Sequence, residues 1–199
     1  MTALRNTPVV DLTDAAAFVI RGERASDVVA REALLDVCFG ANRQLRTCQR
    51  LRDGRAPAEG IALSAVMQCR LVGTLRLWHV SAGDVPALVL GPLAVDPACR
   101  KLGIGAALIN HALPAANRLG HGAVLLLGDA PYYGLFGFSA VKTGALRLPG
   151  PFEPERLLAL ELRPGALDGA AGMIVPTGRA VAQGKPRAAG RRKLAPCAA

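Results

Sequence analysis

The stretch from Ala87 to Ala116 constrains this chain more than any other. It opens on an apolar run, Ala87–Val95, that reads as a strand, yet Pro92 stands inside it. Proline has no N–H to give a ladder, so it belongs at an edge or a bulge, and the sheet is expected to open there. A short loop with Arg100, Gly103 and Gly105 follows. The spacing then changes: Gly105, Leu108, Ile109, Ala112, Leu113 and Ala116 fall on one helical stripe, which predicts a helix over 105–119. Pro114 inside it is expected to remove a bond to Asn110 and bend the helix.

The flanking patterns build a mixed α/β sheet around that unit. Ala17–Arg21 suits a short strand, and Ser26 or Asp27 caps a helix that ends near Gly40. Asp27 is expected to face Arg31 on an ordinary charged outer surface. Residues 41–56 hold Arg43, Arg46, Arg50, Arg52 and Arg55 and read as a second short helix or ordered loop closed by Pro57. Ile61–Met67, Val72–Val80 and Ala87–Val95, separated by turn residues, predict an antiparallel meander. Ala123–Leu127 is continuously apolar, as in a strand buried on both faces, and its place after a helix implies a parallel crossover from 87–95. Pro131–Phe136 allows a short helix, and Phe138–Val141 and Leu157–Leu162 read as closing strands.

Composition narrows the class. With 199 residues and 51% hydrophobic residues the chain is too apolar to be wholly disordered. Five cysteines (38, 48, 69, 99 and 197) are too sparse, and odd in number, for a disulfide framework. No apolar run reaches the ~18 residues of a membrane span, and the first residues lack a signal-peptide pattern, so the expectation is a cytoplasmic, reduced protein with no membrane role. The net charge of +9 is unevenly placed: residues 178–199 carry six basic residues and no acid. The chain therefore divides into a leader (1–14), a folded domain (15–165), a C-terminal extension (166–177) and a basic tail (178–199) expected to be disordered and solvated. Weak attraction of that tail to nucleic acid is the sharper reading of its charge.

The segment Arg100-Lys101-Leu102-Gly103-Ile104-Gly105-Ala106 carries the chemistry. Its glycines allow a tight turn and leave no Cβ in a ligand's way. The free N–H groups and dipole of the following helix favour an anion, and two cations stand at the same end. This suits a pyrophosphate. A Walker loop fails because Gly105 is followed by Ala106 rather than Lys-Ser/Thr. A Rossmann fingerprint, Gly103-x-Gly105-x-x-Leu108 with Asp129 on the ribose, competes, but it lacks the third glycine and follows its strand too late.

These residues resemble the Arg/Gln-x-x-Gly-x-Gly/Ala signature of the GNAT superfamily of N-acetyltransferases, with Val95-Asp96-Pro97 as lead-in. Tyr133-Gly-Leu-Phe136-Gly137-Phe138 is similar to the family's Tyr-x-x-x-Gly-Phe element. The resemblance spans roughly residues 17–163 and is nearest a bacterial subgroup of predicted N-acetyltransferases. It implies an α/β (α+β) fold with a mixed, mostly antiparallel central sheet, a splayed parallel strand pair and helices on both faces. It implies acetyl-CoA as co-substrate and no metal. Leu93, Ala94 and Val95 would hold the pantetheine arm. Arg100, Lys101, Leu102, Gly103, Ile104, Gly105 and Ala106 would hold the pyrophosphate. The Leu93 N–H would face the developing oxyanion, and Tyr133 would serve the departing thiolate as general acid. The implied acceptor is a small-molecule or protein amine, and a homodimer is a further implication.

The general base is the departure. Segment 85–95 has no ionisable side chain, which leaves His79 as the nominated base, Asp84 and Asp129 as weaker ones, and a water chain with no single base as an alternative. His111 falls opposite the apolar stripe of its helix, and His121 sits in a Gly-His-Gly turn. Cys99 beside the cationic loop reads as a small loop residue rather than a nucleophile. The arginines of 43–55 flank the family's acceptor side. They either select an acidic substrate or form a salt-bridged face, and both readings stay open. So does a second function, an acyl-CoA-binding regulator without turnover, motivated by the missing carboxylate.

Overall fold

A computed structural model describes residues 17–181. The leader and the tail beyond residue 181 lie outside the described residues. The elements are β1 (Val19–Gly22), α1 (Val28–Phe39), β2 (Ala62–Met67), β3 (Arg70–Ala82), β4 (Val85–Leu90), β5 (Ala94–Val95), α2 (Ile104–Arg118), β6 (Ala123–Leu127), α3 (Ala130–Gly134), β7 (Leu146–Arg147), β8 (Leu157–Glu161) and β9 (Gly172–Pro176). The sheet runs β1-β2-β3-β4-β6-β8, with β5 and β9 also paired to β3. Its pairs are antiparallel except β4–β6 and β7–β9. This is the mixed, mostly antiparallel sheet read from the sequence. Among the described residues no helix is long and apolar enough to cross a membrane.

β3 is the spine, because β2, β4, β5 and β9 all pair with it. The hairpin into β3 turns on Gln68 and Cys69, both left-handed at φ 49° and 62°, as a tight primed turn requires. β3 therefore begins at Arg70, two residues before the expected Val72. At its other end Gly83 turns the chain at φ 62°, where an added Cβ would overlap the Ala171 carbonyl.

Two apolar layers sandwich the sheet. On one face Ile104, Leu108 and Ala112 of α2 pack on Leu75, Leu77, Leu88, Val124 and Leu126. Gly73 lets the helix sit close: a Cβ there would stand 2.8 Å from Ile104 and 3.2 Å from Leu108. The helix runs through Pro114, which lies on its exposed side. On the other face Leu51, Trp78, Val80, Val89, Leu125, Leu146 and Ile174 form a second layer. There α1 covers Ala94 with Leu34 and Leu35.

Several expectations change. Residues 41–51, read as a second short helix or an ordered loop, form two short 3-10 turns, Ala41–Leu45 and Thr47–Leu51. Phe138–Val141 is no strand: Ser139 makes a lone bridge to Ala159. The extension over 166–177 holds β9, which pairs with Val80–Ala82 and adds a strand the sequence pattern did not announce. The head of the basic tail is also pinned, since Arg179 accepts from the Ala56 N–H and Val181 donates to Gly54.

Asp27 faces inward rather than toward Arg31. Its buried carboxylate accepts from both Nη atoms of Arg21 (2.6 and 2.9 Å), the Arg24 N–H (2.8 Å) and the Ser64 hydroxyl (3.0 Å). Arg31 is itself buried and pairs with Glu23 and Glu32. Asp27 thus joins β1, β2 and the start of α1, and the Arg21 guanidinium holds its carboxyl well below the usual carboxylate range.

Asp27→Asn is expected to destabilise the protein by about 2 kcal/mol at neutral pH, since a buried charge-assisted network loses its acceptor. A carboxyl depressed in the folded state contributes stability that is complete above its unfolded pKa of about 3.9 and is lost as pH falls toward the folded value. Denaturant unfolding between pH 7 and pH 2 should therefore show a shallower acid loss in Asp27→Asn than in the parent.

Candidate active site

β4 and β5 are one strand broken by Gly91-Pro92-Leu93. Leu90 faces Leu77 and Ala94 faces Thr74, so four steps along the broken strand oppose three along β3. One extra residue is accommodated, which defines a bulge. Pro92 brings no N–H to the gap. Trp78 sits against the break, and a Cβ on Gly91 would overlap its ring. The consequence appears on the other side. β4 pairs with β6 only at Leu88–Val124 and Val89–Leu125, although β6 continues to Leu127 against β8. The two parallel strands separate where the bulge begins.

The split leaves polar backbone unpaired. Among the described residues neither the N–H nor the C=O of Leu93 joins a backbone hydrogen bond. Asp96 donates to the Val72 carbonyl at 2.8 Å. Alternation along an antiparallel ladder then turns Ala94 toward β3 and Leu93 and Val95 toward the gap. The Cys38 thiol of α1 reaches the Val95 carbonyl at 3.4 Å. Burial pushes that thiol up, so it keeps its proton and donates.

The loop after β5 ends at the same gap. Asp96 accepts from the Ala98 N–H at 2.9 Å and starts a 3-10 turn over Pro97–Cys99. Cys99 is 2% exposed and belongs to the core, away from the solvent a reactive thiol needs. Lys101 and Gly103 are left-handed at φ 69° and 75°. Such turns gather successive N–H groups into an anion-sized concavity. The N–H groups of Ile104, Gly105 and Ala106 open α2 with no acceptor inside the helix. Arg100 and Lys101 are exposed beside them. A Cβ on Gly105 would lie 3.0 Å from the Tyr132 hydroxyl, 3.6 Å from Leu93 and 3.7 Å from Val95, so loop, open strand and aromatic corner converge.

That corner is α3. Tyr132 meets Tyr133 edge-on at 5.1 Å and Phe136 at 5.5 Å, and Tyr133 meets Phe138 at 5.9 Å. Tyr133 lies over Gly128, where a Cβ would overlap its ring. Burial, with help from Tyr132 and Asp129, pushes the Tyr133 hydroxyl up to about 12, so it stays a proton-bearing donor across the neutral range.

A cavity of 620 Å3 opens on the face away from α2. Its floor is Val89, Leu90, Gly91, Pro92 and Leu127, which are both lips of the split. Its walls come from the turns at 39–52 and from residues 151–156. Arg43, Arg46, Arg52 and Arg156 line it with a single carboxylate, Glu153. The sequence missed Trp78 and Glu153 as site residues, because only tertiary packing brings them to the break and its cavity, whereas Arg52 is among the arginines of 43–55 read as flanking the acceptor side.

His79, nominated as the base, is not brought here. Its ring packs at a tilt against His121, centroids 5.2 Å apart, just past the C-terminal end of α2, and it does not line the cavity. His121 is therefore half-buried rather than an isolated turn residue, and its pKa is lowered by burial and by His79. Asp84 sits in the β3–β4 turn, at the end of β4 remote from the split, and Asp129 is an exposed residue heading α3.

Comparison with known proteins agrees with this geometry. Residues 31–138 match the model of the acetyltransferase (GNAT) family. The chain is 27% identical over 159 residues to YhbS of Escherichia coli strain K12, named an uncharacterized N-acetyltransferase, across 79% of this chain and 95% of that one. The crystal structure of Escherichia coli YhbS in complex with CoA matches with a TM-score of 0.69 and 28% identity, over 80% of this chain and 89% of that one. A GNAT family acetyltransferase from Brucella melitensis in complex with acetyl-CoA matches at TM-score 0.53 and 28% identity, over 73% and 96%.

Gly91→Ala tests the break. The new methyl forces Trp78 or the bulge to move, at an overpacking cost of about 1–3 kcal/mol. Thermal melts should register that loss, and adding Trp78→Phe should recover part of it. Equal stability of Gly91→Ala and parent would show that the ring does not hold the split.

Proposed function

This chain belongs to the GNAT acetyltransferase family, and on that premise we propose that it moves an acetyl group directly from acetyl-CoA to a primary amine. The observation that carries the reading is the split itself. An anion-ready loop and a protonated tyrosine lie on one side of Gly91–Leu93. A cavity of 620 Å3 lies on the other.

The residues fit the co-substrate. The N–H groups of Leu102 to Ala106, with Arg100 and Lys101, cradle a diphosphate, and Gly105 keeps a methyl out of the cradle. The open backbone of Leu93 and the Val95 N–H take a peptide-like arm as an added half-strand, the Val95 carbonyl being held by Cys38. The bound thioester supplies an activated acetyl carbon. The amine enters from the cavity neutral, forms the C–N bond as C–S breaks, and loses its proton to water. The Leu93 N–H faces the carbonyl oxygen where negative charge develops. Tyr133 donates to the departing sulfur. Its pKa of about 12 lies above that of an ordinary thiol near 8.5, so its role is a strong hydrogen bond and the thiolate's final proton comes from solvent.

The rival reading, a CoA-binding regulator without turnover, draws on the displacement of His79 and on a carboxylate-free strand. One variant separates them. Tyr133→Phe is expected to lower kcat by about 100-fold. Calorimetry should find CoA affinity within about threefold of the parent, a residual of under ~1 kcal/mol. Thiol release should rise with pH as the amine deprotonates and show no alkaline fall below pH 10 from Tyr133. Absence of thiol release with every amine, while CoA still binds, would favour the regulator.

A further inference from the structure

The arginines of the cavity are not equivalent. Arg43 is neutralised by Glu32 and by Asp36 at 2.7 Å. Arg156 stands 3.7 Å from Glu153. Farther along the same face Arg31 and Arg76 share Glu23. Arg46 and Arg52 differ: among the described residues neither has a carboxylate within ion-pair distance. Asp53 takes its hydrogen bond from Gln49 instead.

Arg52 is the better placed. Its Nε donates to the Cys48 carbonyl at 3.2 Å and one Nη2 hydrogen to Gln49 at 2.9 Å. Its guanidinium lies 5.4 Å from the Trp78 ring centroid. That ring touches Gly91, so the cation is one indole away from the split. Among the described residues Nη1 makes no hydrogen bond. Arg46 stacks on Phe39 at 5.2 Å at the cavity's outer edge. Burial of Arg52 disfavours its charge, neighbouring Arg43 and Arg46 add to that, and Asp53, outside ion-pair distance, offsets it only in part.

From this arrangement we infer that the cavity takes a small primary amine carrying an oxyanion, which the Arg52 fork receives with Arg46 at the rim. The inference rests on the acetyl-transfer reading and names its acceptor class. A guanidinium held over an aromatic ring, with two of its nitrogens already bonded, is pre-organised for a carboxylate or phosphate oxygen pair. The cavity volume suits a small molecule. The short path from Arg52 across Trp78 to Gly91 sets the amine a few bonds from the anion.

The test compares ω-amino acids of two to six carbons and ω-aminoalkylphosphonates with alkylamines of equal length, following thiol release from acetyl-CoA. The parent is expected to favour the best anionic amine over its neutral match by about 10- to 100-fold in kcat/KM. Arg52→Gln should collapse that preference and leave the neutral amines and CoA affinity within about threefold, a residual of under ~1 kcal/mol. Arg46→Gln, which among the described residues gives up a hydrogen bond and a ring contact to Phe39 and no ion pair, provides a second reading should Arg52→Gln fold poorly. The phosphonate arm separates phosphate from carboxylate recognition. Calorimetry of the N-acetylated ω-amino acids against the CoA-loaded protein gives a readout without turnover, with binding lost in Arg52→Gln. Neutral amines served as well as anionic ones, or acetylated acids that bind parent and Arg52→Gln alike, would overturn the inference. CoA binding with no thiol release from any amine would instead overturn the transfer reading.

Discussion

One residue more in β4–β5 than in the facing stretch of β3 governs this molecule. Without it the broken strand would stay in register with β3, and its far edge would stay paired to β6. With it, the chain lifts at Gly91, turns Leu93 and Val95 toward a gap and ends the parallel ladder after Val89 and Leu125. A bulge between buried strands frees polar backbone groups that cost stability wherever they are buried without a partner, so it needs firm support. Trp78 gives that support by filling the space a Gly91 side chain would occupy. The same indole carries Arg52. Strand geometry and cavity charge therefore share one anchor.

The two openings of the split differ in what they favour. On the α2 side charge comes from backbone: the first N–H groups of a fifteen-residue helix, helped by exposed cations at Arg100 and Lys101. Such a site suits an anion whose position along the loop is set by glycines. On the opposite side charge comes from side chains fixed by turns and rings. Nearly all acids of that face are already engaged, Glu23 by two arginines, Glu32 by two and Asp36 by one. The excess is cationic by arrangement rather than by composition alone.

Much of the first opening was legible in the sequence, because it rests on local rules. Glycines at 103 and 105, a basic pair and a 3.6-residue stripe occupy one continuous segment, and Pro92 marks the strand break directly. The second opening was legible only as a run of arginines over 43–55, with nothing to tell which of them stays free of an ion pair. The turns at 41–51 have no strong period, so nothing local separates Arg43, which finds Glu32, from Arg52, which finds no acid. β9 escaped notice because Gly172–Pro176 is a strand only by pairing with β3 and β7. His79 lies away from the cavity for a plain reason: β3 is thirteen residues long, and the histidine lies toward the end where α2 finishes rather than where it starts.

The missing carboxylate base and the unpaired guanidinium belong to one account. An ammonium cannot attack a thioester, and a carboxylate on the splayed strand is one way to take its proton. A carboxylate there would also repel an oxyanion on the acceptor. A nearby uncompensated cation works differently: it disfavours the charged form of the amine and so raises the neutral fraction. An acceptor's own oxyanion ordinarily opposes this by stabilising its ammonium. Pairing with Arg52 cancels that effect and leaves the amine to release its proton to water in the cavity. On this account the acid-free lips of the split and the absence of an ion pair to Arg52 among the described residues are two halves of the same electrostatic design.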